Sequence, residues 1–292
     1  MADRISTGKN EIYTFQEGEA ESRRLANQHP VFVRWAGGLI EPAIPKNEIK
    51  RVADVATGTG DWLIDTAIEL ENPTNVYQGF DISASKFPSD VPNGVGSFEF
   101  LQHNALERFP AQFHSQFDLI NVRLVIQAFK ATEIPVVMSN LVEMLRPGGY
   151  LQWGDLLWTE FYADPPQKDV ENVLELIRKH MHFYGVALDL PILVESTMRE
   201  VGMQDIIVKK NLPADAVPPF NPAEVSVQAK PALLSMLHKV LETQMLSENK
   251  PIDAAEIESK RVEISNRFEH ALASGNNLFC VYCVVVGRKP LE

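Results

Sequence analysis

The sequence predicts an α/β protein built around a seven-stranded sheet, and two observations lead to this fold class. From residue 49 onward, five apolar, strand-like runs alternate with helix-like segments, a pattern typical of a parallel sheet covered by helices on both faces. The last third of the chain then adds two more strand-like runs with a mostly helical stretch between them. Both observations favour one large domain rather than an all-helical or all-strand protein.

The individual elements follow from hydrophobic periodicity and stop signals. The predicted strands are 49–55, 75–81, 97–104, 117–125, 150–158, 204–211 and 277–287. The predicted helices are 18–32, 62–70, 133–145, 169–185, 231–246 and 254–272. The third of these helices runs into Arg-Pro-Gly-Gly, a stop signal. Because the last strand is almost entirely apolar, we expect it to lie between two other strands.

These elements divide the chain into an N-terminal helical cover, residues 1–48, and a sheet domain, residues 49–292. Within the second part, helical segments at about 163–202 and 212–276 are expected to form a cap on the substrate side. At 292 residues, with 45% hydrophobic and 23% charged residues, the chain has the composition of an ordinary globular protein.

Charge and cysteine usage exclude several classes of partner. The formal charge of −12, from 39 acidic and 27 basic residues, argues against a protein that binds the nucleic-acid backbone. No run of 18 apolar residues indicates a membrane span, and the polar N-terminus does not resemble a secretory signal. Cys280 and Cys283, three apart on a strand, point to opposite faces, so neither a disulfide nor a metal site is expected. A cytoplasmic protein is therefore expected, with neither a nucleic-acid nor a membrane partner, and the sequence leaves its oligomeric state open, a homodimer included.

A ligand loop is predicted where the first strand turns into a helix, in the sequence Asp-Val-Ala-Thr-Gly-Thr-Gly at 54–60. A helix N-terminus at the carboxyl edge of a parallel sheet suits polar or anionic ligand groups. A P-loop is excluded because no lysine follows Gly60, and a dinucleotide fingerprint that begins at Gly58 would place Leu63 at its third glycine. The remaining interpretation is the pattern D-x-A-x-G-x-G.

Asp81 ends the second predicted strand, 21 residues after Gly60. A carboxylate at this place can accept hydrogen bonds from both ribose hydroxyls of a nucleoside, whichever cofactor carries it. The alternative is that Asp81 only caps the following turn, Ile-Ser-Ala-Ser.

Five segments carry a resemblance to a known family: 13–32, 54–67, 80–88, 117–125 and 146–155. In these segments the chain resembles class I S-adenosylmethionine (SAM)-dependent methyltransferases. Within that class it is similar to the fungal secondary-metabolite group, which includes LaeA-like and TdiE-like proteins and the glandicoline B O-methyltransferase. The resemblance covers residues 13–155 and is loose beyond them, where substrate choice is expected to reside.

The resemblance implies a Rossmann-like seven-stranded sheet with a helical N-terminal cover and a helical C-terminal insertion. It also implies SAM as cofactor, S-adenosylhomocysteine as product, and adenine contacts at Asn104 and Ala105. The cofactor-binding positions it implies are Tyr13, Arg24, Asp54, Ala56, Thr57, Gly58, Gly60, Asp81, Ile82, Asn104, Ala105 and Arg123. Two positions depart from the usual pattern, since Ala56 replaces the first glycine and many relatives have aspartate at position 104.

Three residues are candidates for chemistry: His29, Asp155 and His180. On the N-terminal helix, Arg24, Gln28 and His29 either meet the cofactor carboxylate or the substrate, or tie the helix to the sheet. Asp155 follows the fifth strand, where it either orients the substrate or caps a turn. His180 lies at the edge of an apolar helical stripe; it is the predicted base if that helix roofs the pocket, and a buried structural histidine otherwise.

The aromatic residues Trp153, Trp158, Phe161 and Tyr162 near the same edge suit a flat apolar acceptor. The function expected from the resemblance is methyl transfer to an oxygen or nitrogen of a small aromatic or alkaloid-like metabolite. Two alternatives stay open: a regulator that binds the cofactor without turnover, and a cyclase or pericyclase that uses the cofactor for its charge.

Overall fold

The computed structural model describes residues 18–216 and 218–292. Its strands are β1 Arg51–Val55, β2 Val76–Asp81, β3 Ser97–Gln102, β4 Phe117–Arg123, β5 Leu145–Asp164, β6 Gln204–Asn211 and β7 Asn277–Arg288. Its α-helices are α1 Glu19–Ala36, α2 Asp61–Leu70, α3 Ile134–Met144, α4 Lys168–Phe183, α5 Leu190–Glu200, α6 Pro222–Ser247 and α7 Ala254–Ala273.

The seven strands form one sheet in the order β3-β2-β1-β4-β5-β7-β6. Strands β1 to β5 are parallel, whereas β7 is antiparallel to both of its neighbours, β5 and β6. The predicted fold class is therefore confirmed. The prediction that the last apolar strand lies between two others is also confirmed, and Val281 and Val285 are completely buried. The strand order reverses between β1 and β4, and ligands of open α/β sheets bind at such a switch point.

Three elements are at least three residues longer than predicted: α1 continues to Ala36 instead of 32, β5 spans Leu145–Asp164 instead of 150–158, and α6 is extended at its start. The fifth strand continues to Asp164 instead of ending at 158, because Tyr162 to Asp164 pair with Asn277 to Phe279 of β7. Helix α6 begins at Pro222 instead of 231, since Pro231 lies inside the helix and does not begin it. The predicted cap segment at 163 consequently starts on a strand, and the division into cover, sheet domain and cap stays a prediction.

The N-terminal helix α1 packs on the sheet beside β7 and α6. The Phe32 and Trp35 rings lie 5.0 and 6.3 Å from the Tyr282 ring, and Trp35 also packs against Phe220 at 5.4 Å. The Trp35 indole N–H donates to the Asn211 carbonyl at 2.9 Å. Helix α1 is thus an integral wall of the molecule, held by aromatic packing.

The two cysteines are both buried as free thiols and lie in different hydrophobic clusters, as expected for opposite faces of β7. Across residues 18–216 and 218–292, no three histidine, cysteine or acidic side chains are grouped to hold a metal. The same ranges contain no helix long and apolar enough to cross a membrane.

Candidate functional site

The loop between β1 and α2 has the backbone conformation of a glycine-rich loop. Ala56, Gly58 and Gly60 have φ angles of 59°, 57° and 76°, all in the left-handed region. Glycine adopts this conformation freely, whereas an L-residue such as alanine pays roughly 1 kcal/mol. Ala56 therefore stands at a position whose geometry suits glycine.

A buried polar network holds this loop from beneath. The Asp54 carboxylate accepts hydrogen bonds from the Thr57 hydroxyl at 2.7 Å and from the Asn121 amide at 2.8 Å. The Gln152 amide in turn donates to the Asn121 side-chain oxygen and to the Leu39 carbonyl. Burial raises the pKa of Asp54, and the Arg123 charge and the two hydrogen bonds oppose that shift. Asp54 thus positions the loop, and direct contact of its side chain with a ligand stays a prediction.

Asp81 joins the loop to the end of β2. One carboxylate oxygen accepts the Gly58 N–H at 2.9 Å, and the other accepts the Ser83 N–H at 3.0 Å. The hydrogen bond from the Ser83 N–H is the turn-capping contact that the alternative prediction describes. An ionised carboxylate has about four acceptor sites, so both oxygens keep capacity for ribose hydroxyls. Ile82, the next residue, is 52% exposed, and its contact with a ligand stays a prediction.

Asn104 and Ala105 lie in the turn after β3. The Asn104 side-chain oxygen accepts the Leu106 N–H at 3.1 Å, and the Ala105 carbonyl accepts from the Asn140 amide at 2.9 Å. Ala105 is buried. The turn is therefore held in one conformation from two sides, and its adenine contacts stay a prediction.

Arg123 ends β4 at the centre of the carboxyl edge of the sheet. It is partly buried, and among the described residues it forms no hydrogen bond and no ion pair within 4 Å. Its charge nevertheless acts on the pKa of three neighbours, His29, Asp54 and Tyr282, in each case as a smaller cause than burial. An available cation at this position suits an anionic ligand group.

Arg24 and His29, the predicted site residues of α1, make different kinds of contact. The Arg24 guanidinium donates to the Glu21 carboxylate at 2.6 and 2.7 Å and to the Gln28 side chain, and it lines a cavity described below. His29 is buried, and its Nε2 lies 2.9 Å from Asp65 of α2, while burial, with the Arg123 charge, lowers its pKa. His29 therefore contacts α2, where the structural alternative expected a contact with the sheet, and its role in the chemistry stays a prediction. Tyr13 lies outside the described residues.

A cavity of about 430 Å³ lies between α1, the ends of β4 and β5, and the first half of α6. Its walls are mainly apolar, with Phe32, Trp35, Trp158, Phe161, Leu233 and Met236 among the lining residues. Leu25 connects the cavity to the loop, because it lines the cavity and its Cδ1 lies 3.5 Å from where a Gly58 Cβ would be. Of the four predicted aromatic residues, Trp158 and Phe161 line the cavity. Trp153 is in the core, and Tyr162 is 42% exposed.

Asp155 is the acidic residue of this cavity wall and is completely buried. Its carboxylate accepts the Val125 N–H at 2.8 Å and the Leu156 N–H at 2.9 Å. Burial raises the pKa of Asp155 to about 7, although these backbone hydrogen bonds act in the opposite direction. A carboxylate that titrates near neutral pH is suited to accept a proton.

His180 does not line the cavity. It is buried, its Nδ1 lies 2.9 Å from the Thr243 hydroxyl of α6, and its ring packs against Tyr184. The structure thus places it in the interface between α4 and α6, as the structural alternative expected, and its role as a base stays a prediction. Helix α6 lies within the segment 212–276 that the sequence predicts as a cap on the substrate side, and residues of its first half line the cavity.

The strand order and the loop–helix unit define a Rossmann-like α/β protein, and comparisons with known proteins add its relatives. No family model matches the chain. It is 35% identical over 187 residues to the methyltransferase grgD of a Penicillium species, covering 62% of this chain and 65% of grgD. It is 31% identical over 143 residues to the N-methyltransferase verN of Clonostachys rogersoniana, covering 48% of each chain. It is 26% identical over 199 residues to the secondary metabolism regulator laeA of Gibberella zeae, covering 66% of this chain and 61% of laeA.

The predicted resemblance to the fungal methyltransferases of secondary metabolism is therefore confirmed. The chain covers less than two thirds of the length of each of these three relatives.

Proposed function

We propose that the protein transfers a methyl group from SAM to an oxygen or nitrogen of a small aromatic or alkaloid-like metabolite. One observation carries the proposal: the glycine-type loop with Asp81 and the apolar cavity with Asp155 meet beneath α1, where Leu25 touches both. A methyl donor and its acceptor need such adjoining sites, because in-line transfer depends on holding the two reactants in contact. A cytoplasmic location and a small-molecule partner belong to this proposal.

The residues present fit the cofactor. The left-handed loop places small residues at the N-terminus of α2, where backbone N–H groups face a ligand. The Asp81 carboxylate keeps acceptor capacity for ribose hydroxyls, and Arg123 offers a cation to the amino-acid end. When bound, SAM supplies an electrophilic methyl group on a sulfonium sulfur.

The cavity residues hold the acceptor and take its proton. The aromatic and aliphatic walls favour a flat apolar molecule and exclude water from the reacting atoms. The Asp155 carboxylate, with a pKa raised to about 7, accepts the proton that a hydroxyl or amine acceptor loses as it is methylated. The similarity to the methyltransferase grgD and the N-methyltransferase verN supports methyl transfer, and the proposal includes both an oxygen and a nitrogen acceptor.

A turnover assay tests this function. The purified protein is incubated with SAM labelled in its methyl group and with fractions of fungal metabolite extracts, and labelled products are identified by mass spectrometry. We expect a labelled small molecule that is absent with heat-treated protein. Failure of every fraction to take up label, with the cofactor bound, would contradict the proposal.

A regulator without turnover is the second candidate, and the match to laeA favours it. This candidate predicts that the protein binds the cofactor but leaves all label on it. A cyclase on the same fold predicts a rearranged product formed without consumption of SAM. The same assay therefore separates the three functions.

A further inference from the structure

Tyr282 of β7 packs against two rings that line the cavity, although no sequence motif pointed to it. Its side chain is 97% buried, being only 3% exposed, and its ring packs beneath Phe32 and Trp35 of α1. The hydroxyl reaches the backbone of Gly154 so closely that a Cβ built there would overlap it. Gly154 is therefore the residue that lets the Tyr282 hydroxyl reach the carboxyl edge of the sheet.

The Tyr282 hydroxyl has no hydrogen-bond partner among residues 18–216 and 218–292. The hydroxyl oxygen is not one of the enclosed, unpaired side-chain atoms of the core, so it faces accessible space into which a ligand group can reach. The hydroxyl of the fully buried Tyr77 differs, since it accepts from the Asn75 amide at 3.2 Å. Burial also raises the pKa of Tyr282, so its hydroxyl keeps its proton and is available to donate.

The sheet register places Arg123 on the same face as this hydroxyl. Arg123 pairs with Gly154, Gly154 pairs with Val284, and Tyr282 is two residues from Val284 along β7. Directly paired residues and residues two apart share one face of a sheet. The guanidinium and the hydroxyl therefore flank the side-chain-free position of Gly154, and both lack a protein partner in the described part of the chain.

The nearby carboxylates do not supply the missing partner. Neither carboxylate is hydrogen-bonded to the hydroxyl or to Arg123: the bonds of Asp155 come from the Val125 and Leu156 N–H groups, and those of Asp54 come from Thr57 and Asn121. A neutral O–H donor and a guanidinium without a nearby acceptor match an anionic oxygen group from a ligand. The methyl donor contains one such group, the carboxylate of its amino-acid part.

We propose that the Tyr282 hydroxyl and Arg123 together bind the carboxylate of the methyl donor, which makes Tyr282 a cofactor-positioning residue. This inference rests on the proposed function. Fixing the amino-acid end of the cofactor also fixes the sulfur relative to the cavity, since only a short chain joins the two.

The test compares two ligands that differ only in this carboxylate. S-adenosylhomocysteine and its decarboxylated analogue, S-adenosyl-3-thiopropylamine, are titrated calorimetrically into wild type and Tyr282→Phe. We expect Tyr282→Phe to weaken the first ligand about ten-fold, as for loss of a hydrogen bond to a charged group, and to leave the second unchanged. The melting temperature should stay the same, because the hydroxyl has no protein partner to lose.

Tyr150→Phe is the matched control, because it makes the same chemical change at the opposite end of β5. The Tyr150 ring packs on Arg288, and the variant retains that ring. It should bind both ligands as wild type does. Equal weakening of both ligands by Tyr282→Phe, or no weakening of either, would overturn the inference while leaving the proposed function intact. If wild type binds neither ligand, the proposed function itself fails, and this inference fails with it.

Discussion

The two halves of the proposed site, a cofactor edge and an acceptor cavity, are built in different ways. The cofactor edge consists of short segments, 54–60, 81–83 and 104–106, each held by hydrogen bonds to its own sequence neighbours or to the adjoining strand. The acceptor cavity is assembled from α1, β4, β5, α6 and β7, which are far apart in the chain and contribute mainly apolar side chains. The comparison teaches that binding chemistry shared by many proteins is local, whereas the chemistry that selects an acceptor depends on tertiary packing.

The largest effect on turnover is expected from a substitution of Asp155, in the cavity half of the site. Asp155→Asn removes the proton acceptor, so we expect turnover to fall about 100-fold or more. Because its NH2 group replaces an oxygen that accepts a backbone N–H, the melting temperature is measured beside the rate, and the rate is compared at a temperature where both proteins are folded. Binding of S-adenosylhomocysteine should stay within two-fold, as measured by calorimetry. A variant that retains full turnover would show that no base is needed at this position.

The pH dependence of turnover has a definite sign. Asp155 accepts a proton only when it is ionised, and burial raises its pKa to about 7. Turnover of wild type should therefore rise as the pH increases through about 7 and level off above it. The measurement is the initial rate at saturating cofactor between pH 5.5 and 8.5, and a rate that falls across this range would contradict the assigned role.

On the cofactor half, Arg123→Gln should weaken S-adenosylhomocysteine by about ten-fold or more through loss of a charge-assisted hydrogen bond. Lys130→Gln, which changes an exposed cation of the same part of the chain, serves as the control and should have no effect. Unchanged binding by Arg123→Gln would place the carboxylate elsewhere.

The cavity is tested by filling it. Ala232→Phe adds a ring to a lining residue of α6 and should raise the KM of the acceptor several-fold without changing cofactor affinity. Ser235→Phe adds the same ring to an exposed position of the same helix. If both variants behave alike, the cavity is not where the acceptor binds.

The smallest effect is expected at Ala56. Ala56→Gly removes the strain of an alanine in the left-handed conformation, which costs roughly 1 kcal/mol. Glycine also makes the unfolded chain more flexible, which offsets part of this gain. We therefore expect the free energy of unfolding to rise by about 0.5 kcal/mol. Ala53→Gly, in the buried strand β1, should instead destabilise the protein. Chemical unfolding measures both, and destabilisation by Ala56→Gly would show that the methyl group contributes packing.

The sequence predicted the sheet well because strand patterns and stop signals are local. The helix boundaries of α3 and α7 and the extent of β6 agree within about one residue, as does the burial of β7. The motif residues of the loop also gather at one edge as expected.

The rest of the site depends on contacts that no local pattern encodes. The helical spacing predicts that His180 lies near the edge of an apolar stripe. Its hydrogen bond with Thr243 depends on how α4 packs on α6, which the spacing does not show. The apolar sequence of β7 predicts only a buried strand. The Tyr282 hydroxyl has room at its position because Gly154, 128 residues earlier in the chain, has no side chain. Side chains of α6 become a cavity wall only once α1 and β5 are in place.

The central claim is that the loop and Asp81 bind the adenosine of SAM, and a calorimetric titration with S-adenosylhomocysteine tests it most directly. The account predicts one site per chain in wild type, about ten-fold or greater weakening by Asp81→Ala, and no change in the exposed control Asp90→Ala. No binding by wild type, or equal binding by all three proteins, would contradict it.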